Sequence, residues 1–178
     1  MPNKWTFKIK PIKELVLRYV GDGKGWIDPF AGENSPAEIT NDLNPERKTM
    51  YHIHAIEFAK QLDGNKFKGV LFDPPYSLRQ VKECYNGLGK TLSFDDTKDA
   101  SFGKVKDAIG SKVELVICCG WNTNGFGINR GFELIEILLV AHGGHHNDTI
   151  VTVERRMNMS LDEFISDRQK KVIKNAIY

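Results

Sequence analysis

Long apolar stretches are missing from this sequence. The longest, residues 135–141, is interrupted by Glu136 and is far shorter than the roughly 20 residues that a membrane-spanning helix needs. The first residues lack the basic start and apolar core of a signal peptide. We therefore expect no membrane partner and a cytoplasmic location.

Cysteine is scarce, and the net charge is low. The three cysteines are an odd number, and Cys118 and Cys119 are neighbours within an apolar run. Adjacent side chains of a strand point to opposite faces, so we expect both as buried thiols. A net charge of +2 is too small to indicate nucleic-acid binding by itself, because that signature needs clustered lysine and arginine.

The composition is that of a globular chain. Hydrophobic residues make up 40% and charged residues 27% of its 178 residues, a length typical of one compact domain. The sequence contains no internal repeat and no low-complexity segment. We therefore expect residues 1–178 to form a single domain.

Helical and strand patterns alternate along the chain. Pro11 suits the first turn of a helix whose apolar residues recur at i, i+3, i+4, i+7 and i+8 up to Val20. Further helices are predicted at residues 55–62, 78–85 and 100–109, and strands at residues 25–28, 39–42, 50–53, 69–72 and 113–119. This alternation predicts an α/β domain with a mostly parallel sheet. The first two connections, residues 33–38 and 43–49, are too short for full crossover helices.

The last third of the chain has a different pattern. Residues 132–141 and 149–155 flank a turn-rich insert and predict an antiparallel hairpin. Ser160 and Glu163 form a capping box, which predicts a C-terminal amphipathic helix. Its apolar stripe consists of Leu161, Phe164, Ile165, Val172 and Ile173.

The most informative motif is an apolar strand that runs into Asp73-Pro74-Pro75-Tyr76. Proline cannot donate to a sheet ladder, so the strand must end at Asp73. Ligands of open α/β sheets bind at the carboxyl ends of the strands, where this tetrapeptide would stand. The alternative is an ordinary strand-to-loop turn, in which aspartate and proline are common.

This motif suits the methylation of an amino group on a nucleobase. Such a nitrogen is a poor nucleophile because its lone pair is delocalised into the ring. The Asp73 carboxylate and the Pro74 carbonyl can accept its two hydrogens and leave the lone pair facing a methyl donor. Pro74 and Pro75 stiffen the loop, and Tyr76 offers a ring on which an extruded base can stack.

Two further strand ends precede this motif. The first is Asp28-Pro29-Phe30-Ala31-Gly32. Its Ala31 and Gly32 are small enough for the backbone to approach a ligand. The next strand ends at Asp42, followed by Leu43, where an acid can bind ribose hydroxyls. Each feature alone is weak, but the three strand ends in this order favour a cofactor and substrate site.

On these motifs the sequence resembles the amino-methyltransferases of the DNA adenine type, in particular the small single-domain versions of phages and mobile elements. The resemblance covers residues 5–155. It implies a Rossmann-like class I methyltransferase fold with a mostly parallel sheet, shortened first crossovers and a terminal antiparallel hairpin. It also implies S-adenosyl-L-methionine as cofactor and a catalytic centre formed by Asp73, Pro74, Pro75 and Tyr76.

The resemblance also implies the cofactor contacts. They are Lys10, Pro11, Asp28, Pro29, Phe30, Ala31, Gly32, Asp42, Leu43, His54 and Asp73. Lys10 and Pro11 resemble the segment that contacts the methionine part of the cofactor. His54 stands where the small enzymes carry an acid that holds the cofactor's adenine.

Substrate contacts are predicted around the catalytic motif. They are Tyr76, Arg79, Trp121, Asn122, His145 and His146. Trp121 and Asn122 follow a predicted strand and should face the same rim as the catalytic turn. The insert with His142, His145, His146 and Asp148 lacks the ligand spacing of known metal sites, so we expect no metal.

The expected activity is methylation of the N6 amino group of adenine in DNA. An RNA adenine, RNA guanine or DNA cytosine-N4 methyltransferase is an alternative, because the motif demands only a planar base with an amino group. A non-catalytic module that binds the cofactor or a nucleic acid is an alternative of another class. DNA is the expected partner, RNA is the second, and a homodimer remains open.

Overall fold

The computed structural model describes residues 6–75, 77–88, 102–120, 125–143 and 148–158. The predicted C-terminal helix after Ser160 lies outside these residues. None of the helices in the described ranges is long and apolar enough to cross a bilayer.

The described residues build one six-stranded sheet. Its strands are β1 Trp26–Asp28, β2 Ile39–Thr40, β3 Phe67–Phe72, β4 Val113–Gly120, β5 Phe132–Val140 and β6 Thr149–Arg156. Their spatial order is β2-β1-β3-β4-β6-β5. The first four strands are parallel, and β6 runs antiparallel to both β4 and β5. The predicted hairpin therefore forms from β5 and β6, and β6 inserts between β5 and the parallel strands.

The strand order reverses between β1 and β3. From β1 the chain moves outward to β2, and it then returns to place β3 on the other side of β1. At such a switch point the connections leave the sheet in opposite directions, so a crevice opens at the carboxyl ends of the strands. The turns after β1, β2 and β3 lie at this edge, as their positions in the sequence predict.

Helices cover both faces of the sheet. They are α1 Lys10–Val20, α2 Ala55–Gln61, α3 Leu78–Gly87 and α4 Gly103–Gly110. Apolar residues of α1 pack with Trp26, Leu71 and Ile117 on one face, and those of α2 and α4 pack with Val70 and Val116 on the other.

Cys118 and Cys119 confirm the expected alternation along β4. Both thiols are buried, Cys118 on the face of α2 and α4 and Cys119 on the face of α1. Burial raises the pKa of Cys118 to about 12 and that of Cys119 well above its usual value. Both are therefore protonated thiols of the core.

The predicted strand at residues 50–53 is wrong. This segment makes a single parallel bridge, from Tyr51 to Asn41. The Asn41 side chain takes the place of a longer ladder: its amide nitrogen donates to the carbonyl of Ile53 at 3.0 Å, and its oxygen accepts the Ile53 N–H at 3.1 Å. A buried asparagine thus satisfies the backbone that a second strand pairing would have satisfied.

The other elements predicted within the described residues are confirmed with small shifts. The helix expected at residues 100–109 begins at Gly103, preceded by Phe102 in a left-handed backbone conformation with φ of 52°. The first two connections hold turns and bends in place of crossover helices. The sheet is thus trimmed on the β2 side and extended by the hairpin on the other.

Candidate active site

Asp28, Asp42 and Asp73 meet at the carboxyl ends of β1, β2 and β3. Asp28 is fully buried, Asp73 is 7% exposed and Asp42 is half-buried. Burial is the main cause that raises the pKa of Asp28 to about 7. Hydrogen bonds from Ser35 and Phe30 oppose this rise, and the negative charges of Asp73 and Asp42 add to it. Three carboxyl groups from separate strands thus share one electrostatic environment.

The turn after β1 is organised by Asp28. One carboxylate oxygen accepts the backbone N–H of Phe30 at 2.9 Å, and the other accepts the Ser35 hydroxyl at 2.6 Å. The Ala31 N–H donates to the carbonyl of Asn41 at 2.9 Å. Asp28 therefore stabilises the turn from the buried side of the fold, through its hydrogen bonds to Phe30 and Ser35.

Gly32 and Asp42 join the first two turns. Gly32 has a φ of +57°, in the left-handed region that favours glycine, and no atom lies within 4 Å of the place a Cβ would occupy. Its N–H donates to one oxygen of Asp42 at 3.0 Å, and the Asn44 N–H donates to the other at 2.8 Å. The open space beside Gly32 is thus bordered by a carboxylate that the backbone holds in place.

The end of β3 carries Asp73 into the same crevice. Phe72 is the last residue of the strand, Asp73 and Pro74 are buried, and Pro75 is half-buried. The Phe72 ring packs edge-on against Phe30 of the first turn, with ring centroids 5.3 Å apart. This aromatic contact couples the position of Asp73 to that of the turn after β1.

Three solved structures share this architecture. TrmN from Thermus thermophilus is 14% identical, with a TM-score of 0.51 over 82% of this chain and 48% of the other, so this chain spans about half the length of TrmN. N-methyltransferase NodS from Bradyrhizobium japonicum WM9 is 8% identical, with a TM-score of 0.54 over 85% and 97% of the two chains. The 1,6-didemethyltoxoflavin-N1-methyltransferase from Burkholderia thailandensis is 12% identical, with a TM-score of 0.55 over 84% and 78%. No protein-family model and no curated protein match the sequence.

The mixed sheet of six strands and these matches decide the fold. It is the Rossmann-like class I methyltransferase fold. The fold implied by the sequence motifs is therefore confirmed, including the terminal antiparallel hairpin. Within this methyltransferase fold, the three aspartates lie at the ends of neighbouring parallel strands.

The predicted cofactor contacts lie in three parts of the fold. Residues 28–32, Asp42 and Asp73 surround the crevice, and half-buried Leu43 follows Asp42. Lys10 and Pro11 are exposed at the first turn of α1. His54 caps α2, and its Nδ1 accepts the Ile56 N–H at 3.3 Å. The local role of His54 is thus a helix cap, and its contact with a cofactor stays a prediction.

Of the predicted substrate contacts, Arg79 is the one within the described residues. Arg79 lies exposed on α3 and pairs with Glu83 one turn later, across 2.7 Å. The other predicted substrate contacts, Tyr76, Trp121, Asn122, His145 and His146, lie outside the described residues.

The described residues contain no group of three or more His, Cys, Asp or Glu side chains suited to a metal ion. His142 and Asp148 close the turn between β5 and β6 instead. The His142 N–H donates to Asp148 at 3.1 Å, and its ring lies 2.8 Å from the Thr149 hydroxyl.

Two buried charges near Asp73 were not predicted from the sequence. Lys106 of α4 is 4% exposed, and Glu154 of β6 is 5% exposed. The available signal was Glu154 itself, the acid in the otherwise uncharged run of residues 149–154. Lys106 carries no such signal, because a lysine in a helix is ordinarily a solvated residue.

Proposed function

We propose that this protein transfers a methyl group from S-adenosyl-L-methionine to an exocyclic amino group of a nucleobase, with adenine N6 in DNA as the first candidate. The observation that carries the proposal is the position of Asp73-Pro74: it follows β3 in the same crevice as the turn after β1. The methyltransferase fold and the chemistry of an amine-binding acid support the same conclusion.

The turns after β1 and β2 together fit the proposed cofactor. Each Asp42 oxygen accepts one backbone N–H, and a carboxylate has about four lone-pair positions. Two acceptor positions therefore remain for ribose hydroxyls. The space beside Gly32 admits close approach of a ligand to the backbone. NodS and the toxoflavin methyltransferase were both crystallised with S-adenosylhomocysteine, which supports the same cofactor here.

The three carboxyl groups suit a cationic cofactor. When bound, S-adenosyl-L-methionine supplies a methyl group on a positively charged sulfur. Burial is the main cause that raises the pKa of Asp28, and the negative charges of Asp73 and Asp42 raise it further. A positive charge in the crevice favours their ionised forms.

Asp73 and Pro74 act on the methyl acceptor. A carboxylate and a carbonyl oxygen together accept the two hydrogens of an amino group, so that its lone pair is directed away from the ring plane. Burial strengthens these hydrogen bonds, since water does not compete for the same atoms. Asp73 can also take the proton that the methylated amine releases.

The test is a search for the modified nucleoside. The protein is incubated with S-adenosyl-L-methionine and either DNA or RNA, and the digested product is identified by mass spectrometry. We expect N6-methyladenine in DNA, and no product with Asp73→Ala under the same conditions. Cofactor binding of Asp73→Ala, measured by calorimetry, should stay close to that of the wild type.

A heterocyclic small molecule or RNA is the second candidate acceptor. NodS and the toxoflavin enzyme are named as N-methyltransferases, and the latter was crystallised with a small heterocycle. The same assay therefore includes RNA, free nucleosides and small heterocyclic amines. Product in one of these arms alone replaces DNA as the substrate. No product in any arm, with intact cofactor binding, favours a non-catalytic module.

A further inference from the structure

We infer that Lys106 and Glu154 are positioning residues for the methyl acceptor, acting through the peptide group between Gly125 and Phe126. This role rests on the proposed function, because it concerns how the acceptor is presented to Asp73. Neither residue belongs to the predicted catalytic motif or to the predicted cofactor contacts.

Two opposite charges hold the same peptide group. The Lys106 ammonium donates to the carbonyl oxygen of Gly125 at 3.1 Å. The Glu154 carboxylate accepts the N–H of Phe126 at 2.8 Å and that of Gly127 at 2.9 Å. The oxygen and the hydrogen of one peptide plane are therefore fixed from opposite sides, by α4 and by β6. Lys106 and Glu154 together thus form a clamp on the peptide between Gly125 and Phe126.

Gly125 has no room for a side chain. A Cβ at this position would overlap the Glu154 carboxylate. The carboxylate thus lies directly against the backbone, and the absence of a side chain is what permits the two short bonds to residues 126 and 127. This close approach is specific to a glycine.

The clamped peptide adjoins the end of β3. The Phe126 ring is buried and packs edge-on against Phe72, with centroids 5.3 Å apart, and Phe72 directly precedes Asp73. The Lys106 ammonium lies 5.5 Å from the centre of the same Phe72 ring. Cys118 of β4 lies close enough to Lys106, Glu154 and Asp73 for all three to affect its pKa. Besides the main effect of burial, Lys106 lowers this pKa, whereas Glu154 and Asp73 raise it. The clamp and the proposed catalytic acid therefore share one buried region.

Apolar side chains would pack this region at a lower cost. Burying an ammonium and a carboxylate removes both from water, and replacing buried ion pairs by apolar residues is often neutral or stabilising. What apolar residues cannot do is orient a peptide plane. Since the Phe126 ring packs against Phe72, and Asp73 directly follows Phe72, the orientation of this peptide sets the position from which Asp73 meets an acceptor.

The test compares Lys106→Met, Glu154→Met and Glu154→Gln with the wild type. Calorimetry with S-adenosylhomocysteine reports the cofactor site, and steady-state kinetics with the acceptor that the wild type methylates report kcat and KM. Hydrogen exchange at residues 125–127 reports the clamp. Lys112→Met is the matched control, because Lys112 is also buried beside α4 but binds Ala59 and Ala108 carbonyls at the opposite end of β4.

We expect a selective loss of acceptor use. Lys106→Met and Glu154→Met should lower kcat/KM for the acceptor by about 10- to 100-fold, the size of effect that an ångström-scale misplacement produces. Cofactor affinity should change by no more than about twofold, because these substitutions do not touch the turns after β1 and β2. Glu154→Gln keeps an acceptor oxygen and should retain most of the activity. Lys112→Met should lower the melting temperature and leave kcat/KM of the folded enzyme unchanged.

The outcomes separate the clamp from the proposed function. An active wild type whose Lys106→Met and Glu154→Met variants keep their kcat/KM overturns the positioning role alone. Equal losses of acceptor use and cofactor affinity also overturn it, since they indicate general disruption. A wild type that methylates no acceptor overturns the proposed function and the positioning role with it.

Discussion

The backbone N–H of Gly32 donates to the Asp42 carboxylate across 3.0 Å, which ties the turn after β1 to the turn after β2. Asn44 holds the other oxygen of the same carboxylate at 2.8 Å. Two backbone N–H groups thus orient the Asp42 carboxylate, and about two of its acceptor positions remain for a ligand. Such preorganisation reduces the ordering cost of ligand binding.

Replacing Asp42 should weaken the cofactor without changing the acceptor. We expect Asp42→Ala to lose roughly 1.5 to 3 kcal/mol of binding free energy for each hydrogen bond that a ribose hydroxyl makes to the carboxylate. Calorimetry with S-adenosylhomocysteine measures this loss, and the methylated nucleoside should stay the same. Asp22→Ala is the control, because Asp22 lies in the turn that precedes β1, at the other end of the strand. An unchanged dissociation constant for Asp42→Ala would show that Asp42 only stabilises the turns.

Asp28 predicts an unusual pH dependence of stability. Its pKa rises from an ordinary 3.8 to about 7, chiefly because it is buried. The folded protein therefore holds a proton on Asp28 where the unfolded chain has lost it. The stability from this proton is fully present below the unfolded pKa and is lost as the pH rises through the folded pKa. The total is about 4 kcal/mol for a shift of this size.

Asp28→Asn should remove this dependence, because an amide mimics the protonated carboxyl and can still accept the Phe30 N–H. We expect the unfolding free energy of the wild type to fall more steeply than that of Asp28→Asn between about pH 4 and about pH 7. Urea denaturation of both proteins at each pH gives the comparison, in which the contributions of other groups cancel. Parallel pH profiles would contradict a protonated Asp28.

The three aspartates could be placed from the sequence because of a property of parallel sheets. Each ends or follows an apolar run, and the carboxyl ends of parallel strands meet at one edge. Lys106 and Glu154 could not be placed in this way. Their approach depends on β6 inserting beside β4, with Glu154 opposite Val116, a register that no local pattern encodes. The strand prediction for residues 50–53 was wrong for a related reason. There the Asn41 side chain, a tertiary partner, replaces the hydrogen bonds of a strand ladder.

The cysteines provide a simple check of the packing. Cys84 on α3 is exposed, whereas Cys118 and Cys119 are buried. We expect one thiol of the native protein to react with Ellman's reagent and all three to react in denaturant. Cys84→Ser should abolish the native reaction, and rapid labelling of Cys118 or Cys119 would contradict their place in the core.

The rate at which Ellman's reagent labels Cys84 also tests where α3 lies. The Cys84 thiol is accessible to reagents, but neighbouring protein atoms desolvate it and so raise its pKa, and the negative charges of Asp42 and Glu83 raise it further. Because the thiolate is the reactive form, Asp42→Asn should speed labelling of Cys84. Asp22→Asn, in a turn at the other end of β1, should leave the rate unchanged. Equal rates in all three proteins would show that α3 does not approach the end of β2.

Substitutions at His54 distinguish a role as helix cap from a role as cofactor contact. Its Nδ1 accepts the Ile56 N–H at the start of α2, so His54→Ala should cost about 0.5 to 2 kcal/mol of stability. Asp and Asn are strong N-caps, so His54→Asp and His54→Asn should both keep the helix intact. If this position also faces the cofactor's adenine, a carboxylate there accepts a hydrogen bond from the adenine amino group. We then expect His54→Asp to bind S-adenosylhomocysteine more tightly than either the wild type or His54→Asn. Thermal denaturation and calorimetry on the four proteins give both quantities, and a stable His54→Asp with unchanged cofactor affinity would restrict His54 to the helix cap.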